Sequence, residues 1–154
     1  MANSCPGTGP VTLSGTSTLL LHTGGNNTRT GAIMVNDGAT LKVAESGTVK
    51  LGGDLRLNDG ATLAFNFTDR RNAPVLDLTD KTVTFGTQAQ IKVSLSGERP
   101  IDRKYILTSG SQIASTASFA KADDCSPWVK GVGIDGDGNL YVEVFANGMM
   151  IICR

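Results

Sequence analysis

The residues that could do chemistry in this chain are few. Its 154 residues include one histidine, His22, one tryptophan, Trp128, and three cysteines, Cys5, Cys125 and Cys153. Nucleophilic triads and most zinc hydrolases need at least one imidazole, so His22 would carry that work alone. It ends the apolar run Leu19-Leu-Leu21 and precedes Thr23-Gly-Gly25, the place of a solvated strand-end residue. Asp37 and Asp59 occupy equivalent places in two copies of one motif. Stacked one above the other, they would approach the roughly 5–5.5 Å carboxyl spacing of a retaining glycosidase. Both sit in glycine turns with no basic or aromatic surface nearby in sequence, so they are read as turn formers. No catalytic residue is assigned, and the chain is read as a non-enzyme.

Asp135-Gly-Asp-Gly-Asn139 invites a calcium reading, but an EF-hand loop would want Gly and Glu where Leu140 and Ala146 stand. Such a stretch before an alternating segment is an ordinary turn. Gly24-Gly25 and the Asp-Gly repeats lack the Gly-Lys-Ser/Thr ending of a phosphate loop. No metal and no cofactor is therefore expected. Asp69-Arg70-Arg71 on an outward loop could meet an anion or a partner, and Trp128 could stack on a sugar. Arg70, Arg71 and Trp128 are the candidate partner-binding residues; the plainer alternatives are a solvated loop tip and a tryptophan in a capping core. The cysteines form no CxxC pair, and their odd number leaves one thiol over. A Cys5–Cys153 or Cys125–Cys153 bridge would tie down a terminus; free or buried thiols are the alternative.

Fourteen basic residues balance fourteen acidic ones, and charged residues are only 18% of the chain. No overall field steers it to nucleic acid or to anionic membranes. Three consecutive leucines are its longest apolar run near the start, too short to span a bilayer. Met1-Ala-Asn-Ser-Cys5 lacks the basic start and apolar stretch of a signal peptide. We therefore expect the segment to belong to a longer exported protein.

Positioning falls to β-strands. Period-2 alternation dominates in Asp54–Asn58, Gln90–Ser96 and Asn139–Phe145, with further short strands from Val11 to Leu107 separated by glycine turns. A weak helical reading applies only at Ala114–Asp124. Most informative is a repeat: Asn36-Asp-Gly-Ala-Thr-Leu41 recurs as Asn58-Asp-Gly-Ala-Thr-Leu63, 22 positions on. Its flanks repeat as well, with Ile33/Leu55, Val35/Leu57 and Val43/Phe65 as matched apolar pairs. A sandwich of hairpins needs no fixed period. A chain wound into stacked β coils does, because equivalent strands then lie in parallel at about 4.8 Å. The expected fold is all-β, a parallel β-helix (solenoid) of about 22 residues per coil with an irregular C-terminal cap. Coils are expected over residues 1–108 and capping coils of the same domain over 109–154, with Gly138–Phe145 and Met149–Cys153 closing the open end. Asn36 and Asn58 should pass amide hydrogen bonds between coils, and Leu41 should lie against Leu63. After Phe67 the strands at Val75–Leu78 and Val83–Phe85 are expected to drift from register.

Gly25-Asn-Asn-Thr-Arg-Thr-Gly31 followed by Val35-Asn-Asp-Gly-Ala-Thr-Leu-Lys-Val43 resembles the autotransporter-associated β-strand repeat of bacterial passenger domains. That pattern runs approximately G-x-N-T-Y-T-G, a short strand, then V-N-x-G-T-L-x-V. This chain departs from it with Arg29 at the aromatic position and an added Ala39. Tyr105-Ile-Leu-Thr-Ser-Gly110 and Asp137-Gly-Asn-Leu-Tyr-Val142 are similar to closing coils of such passengers, although only residues 24–67 match specifically. The resemblance implies a right-handed parallel β-helix, secreted or displayed at the bacterial cell surface, and no catalytic site. The expected function is a structural or adhesive shaft. The alternatives are a module binding a host glycan or surface protein, and a fragment of a polysaccharide-active β-helical enzyme.

Overall fold

The computed structural model describes residues 9–22, 31–95 and 104–145. The described residues are all-β with no helix. Three parallel sheets are visited in rotation. The chain enters through β1 (Val11–Leu13) and β2 (Thr18–Leu21), then makes a full pass through β3 (Ile33–Val35), β4 (Thr40–Ala44) and β5 (Gly47–Lys50). A second full pass follows in β6 (Leu55–Leu57), β7 (Thr62–Phe67) and β8 (Pro74–Asp77). After β9 (Val83–Phe85) and β10 (Gln90–Leu95) come β11 (Lys104–Ile106), β12 (Thr108–Ser109) and β13 (Ala120–Lys121). The sheets run β1-β3-β6-β9, β2-β4-β7-β10-β13 and β5-β8-β12.

Register follows the repeat. Leu41 pairs with Leu63, Val43 with Phe65, Ile33 with Leu55 and Val35 with Leu57, all in parallel. The first sheet extends on one side to Val11 and Leu13 and on the other to Val83 and Phe85. In the middle sheet Leu19, Leu41, Leu63 and Ile91 form one column. Inward residues of all three sheets, among them Val35, Leu41, Val49, Leu57, Phe65 and Leu76, belong to one buried cluster. Alternation puts every second side chain there, which is why short strands suffice.

The repeated motif is a corner. Ala39 and Ala61 each donate a backbone hydrogen bond three residues back, to Asn36 and Asn58 (3.0 and 3.1 Å). Gly38 and Gly60 stand at the third position with φ of 76° and 73°, as a type II turn requires. The amide of Asn58 donates to Oδ1 of Asn36 at 2.7 Å, and the amide of Asn36 donates to Oγ of Ser14 at 3.0 Å. A further corner, Gly86-Thr-Gln-Ala89, leads from β9 to β10 with Ala89 buried like Ala39 and Ala61.

The spacing widens along the chain. Residue offsets are 22 from β4 to β7 but 28 from β7 to β10, because loops lengthen outside the strands. Register therefore survives where drift was expected: Val75 and Leu76 pair with Thr48 and Val49, and Val83–Phe85 with Leu55–Leu57. The helical reading of Ala114–Asp124 does not hold. Residues 120–122 instead satisfy the free edge of β10, with Ala120 and Ala122 donating to the carbonyls of Ala89 and Ile91 at 2.9 Å. Pairing to an open sheet edge outweighs a weak local helix preference.

A small antiparallel sheet, β11-β15-β14, follows, where β14 is Val129–Ile134 and β15 is Leu140–Val144. Its junction to the parallel sheets is a buried polar knot. The column Val49–Leu76 continues to Thr108, which is fully buried. Its hydroxyl accepts the backbone N–H of Leu140 at 2.8 Å and lies 2.9 Å from Oγ of Ser111. Ser111 in turn donates to the carbonyl of Gly138 at 2.7 Å. Thr108→Val keeps the shape and strands that N–H without an acceptor, so a loss of about 1–3 kcal/mol is expected in urea unfolding. The expected last strand, Met149–Cys153, lies outside the described residues.

Candidate functional site

Residues 68–73 are an insertion with its own architecture. Only Glu45 and Ser46 separate β4 from β5, whereas six residues separate β7 from β8. Across this corner the offset between stacked strands grows from 22 to 27. The extra residues are held by specific bonds. Oδ1 of Asp69 accepts the N–H of Arg71 at 2.8 Å, and Oδ2 accepts the amide of Asn72 at 2.6 Å. Oγ of Ser46 accepts the N–H of Asp69 at 3.0 Å, while the N–H of Ser46 donates to Oγ1 of Thr68 at 3.1 Å. From the far side the Tyr105 hydroxyl donates to the Arg70 carbonyl at 2.6 Å, its ring packed edge-on to Phe67 at 5.2 Å.

Arg71 is exposed and Arg70 half-buried. Between this loop and the outer face of β5 and β8 opens a recess of about 590 Å³, lined by Ser46, Thr48, Thr68, Asp69, Arg71, Asn72 and neighbouring backbone. Trp128 is not among its lining residues. It is half-buried at the start of β14, its carbonyl accepting the N–H of Phe145 at 2.9 Å. Of the three candidate partner residues only Arg71 lines the recess; Arg70, in the same loop, does not. Sequence reasoning found Arg70 and Arg71 from their charge. It missed Ser46 and Thr48, whose place beside the loop appears only once β5 and β8 are stacked.

The other candidates lie at corners and turns. Nδ1 of His22 lies 3.7 Å from Oε1 of Glu45 across a solvent-facing corner. Asp59 Oδ1 accepts the N–H of Gln88 at 3.0 Å, linking one corner to the next. Asp37 lies against Gly60, where any Cβ would collide with its carboxylate. Oδ1 of Asp135 accepts the N–H groups of Asp137 and Asn139 at 3.0 and 2.8 Å, an Asx turn that leads into β15. Among the described residues no group of three or more His, Cys, Asp or Glu side chains is placed to hold a metal ion. Cys125 carries a free thiol, and either expected bridge involves Cys153, so both fall outside the described residues. Cys5 and Cys153 lie outside the described residues.

Four carboxylates are held below their ordinary range. Asp69 is lowered chiefly by the Arg71 N–H, and Asp135 by the N–H of Asn139. Asp77 is lowered by the Thr79 hydroxyl, and Asp124 by the ammonium of Lys92. Each folded pKa lies below its unfolded counterpart of about 3.9. The stabilisation is therefore complete above that value and disappears as pH falls through the folded pKa. The melting temperature should be flat from about pH 8 to 5 and drop below about 4; a profile level to pH 2 would contradict these contacts.

A second, smaller groove of about 290 Å³ runs over the outer face of the first sheet, where Thr12, Met34, Arg56 and Thr84 are stacked in register. Chemically, the recess offers hydroxyls, an amide, a carboxylate and a guanidinium, and the groove offers threonine hydroxyls, Asp54 and Arg56 beside apolar side chains. These are means of binding. No protein-family model, curated protein or solved structure matches the chain.

Proposed function

We propose that this chain is a stretch of right-handed parallel β-helix with a C-terminal capping sheet, serving as a stiff structural or adhesive shaft in an exported bacterial surface protein. The observation that carries this reading is the register. Inward columns such as Leu19–Leu41–Leu63–Ile91 stay aligned while every change of length is taken up in outward loops. A chain built this way holds its axis stiff, because each coil is bonded to the next along its backbone. Loops then vary on the outside without disturbing the core. The resemblance of residues 24–67 to the passenger-domain repeat supplies the surface location and the longer parent chain.

The test is immunolabelling of intact cells producing the parent protein, with and without external protease. Labelling of intact cells is expected; a signal confined to lysed cells overturns the surface role. Incubation with pectins, alginates and mucin glycans is expected to release no product. Release that survives further purification would favour the polysaccharide-active alternative.

A further inference from the structure

We infer that the recess beside the 68–73 loop binds an acidic saccharide, with the Arg71 guanidinium taking the sugar's carboxylate or sulfate. The inference does not depend on the shaft reading, since a shaft needs no insertion at this corner. The preceding pass turns the same corner with two residues, so the longer loop is dispensable for the fold. Yet it is held rigid by the bonds from Ser46 and Asn72 and by the Tyr105 hydroxyl. A preorganised loop loses little entropy when a ligand docks.

The lining selects the ligand. Asp69 spends its oxygens on its own loop, through the Arg71 N–H and the Asn72 amide. The Arg71 guanidinium forms no ion pair within 4.0 Å among the described residues, although its charge reaches the Asp69 carboxylate, and its planar fork suits a carboxylate or sulfate. The same recess is lined by Thr48 and Asn72, whose hydroxyl and amide exchange hydrogen bonds with sugar hydroxyls, and by Thr68, whose hydroxyl is already bonded to Ser46. Ala73 and Val75 complete the wall with an apolar surface for the C–H face of a ring. The volume, about 590 Å³, lies within the usual range of small-ligand sites. A sugar ring meets the charge, the hydroxyl and the apolar wall within one residue's span, whereas an acidic peptide would carry its carboxylate on a flexible side chain, so the saccharide is favoured.

The experiment is titration of the ¹⁵N-labelled chain at low salt, followed by amide shifts. The probes are oligogalacturonate (carboxylate), a chondroitin sulfate oligosaccharide (carboxylate and sulfate), a neutral cello-oligosaccharide and a poly-glutamate peptide. At least one acidic sugar should move the amides of residues 46–48 and 68–75, with saturation at millimolar concentration or below. Saturation by oligogalacturonate assigns the carboxylate; saturation by chondroitin sulfate alone assigns the sulfate. Arg71→Ala should weaken binding at least tenfold, and Arg71→Lys less, while amides outside the loop stay unchanged. The inference is overturned if neither acidic sugar shifts these amides or if the neutral sugar or the peptide binds as tightly. It is equally overturned if Arg71→Ala binds like the parent chain.

Discussion

Phe65→Ala is expected to lower the free energy of unfolding by about 3–5 kcal/mol in urea or guanidinium titration. Phe65 is 1% exposed and stands between Val43 and Val93 in adjacent parallel strands. The backbone ladders on both sides fix the spacing of those neighbours, so they cannot close on the space the ring leaves. The cost should therefore sit toward the cavity-dominated end of the range, where little of the void is recovered by relaxation. Phe65→Leu retains most of the contacts and should cost well under half as much. A loss below about 1 kcal/mol for the alanine variant would mean that the column is loosely packed or that Phe65 lies outside the core.

Gly53→Ala is the second large effect. Gly9, Gly31 and Gly53 follow one another at the 22-residue spacing, at the corner that leads into the first sheet. A Cβ on Gly53 would collide with the carbonyl of Gly31, and a Cβ on Gly31 with the carbonyl of Gly9. The atoms met are backbone, which cannot rotate aside as a side chain does. Relief requires the two passes to separate, at the expense of hydrogen bonds such as Ile33 N–H to the Asp54 carbonyl at 2.8 Å. The expected cost is about 3 kcal/mol, the upper end for overpacking, and more for Gly53→Val. Gly136→Ala is the internal control. A Cβ there meets nothing within 4 Å, so its stability should stay within about 0.5 kcal/mol of the parent chain.

What the sequence revealed and what it hid have distinct physical causes. The stacking of Leu41 on Leu63 and of Asn36 on Asn58 was legible because two undisturbed copies of one corner stand a fixed distance apart. The corner Gly86–Ala89 performs the same task but escaped notice. The 68–73 insertion shifts it off the 22-residue period, and its third residue is Gln88 in place of a left-handed glycine. The glycine column escaped because a glycine leaves no apolar pattern; only stacking reveals what its missing side chain makes room for. β14 was invisible for a related reason. Val129-Lys-Gly-Val-Gly-Ile134 lacks clean alternation, and the Tyr141 ring fills the space above Gly133. At the candidate site, the charge of Arg71 was readable. The hydroxyl wall was not, since Thr48 joins it from 20 positions or more away.

Backbone nuclear Overhauser contacts between strands test the central claim most directly. Parallel stacking predicts long-range amide and α-proton contacts at a constant sequence difference. That difference is 22 between β3 and β6 and between β4 and β7, and 28 between β6 and β9 and between β7 and β10. Contacts between Leu41 and Leu63 and their immediate neighbours should be among them. If residues 33–95 instead give pairs whose sequence numbers add to a constant, as antiparallel hairpins do, the parallel register is wrong and the shaft reading falls with it.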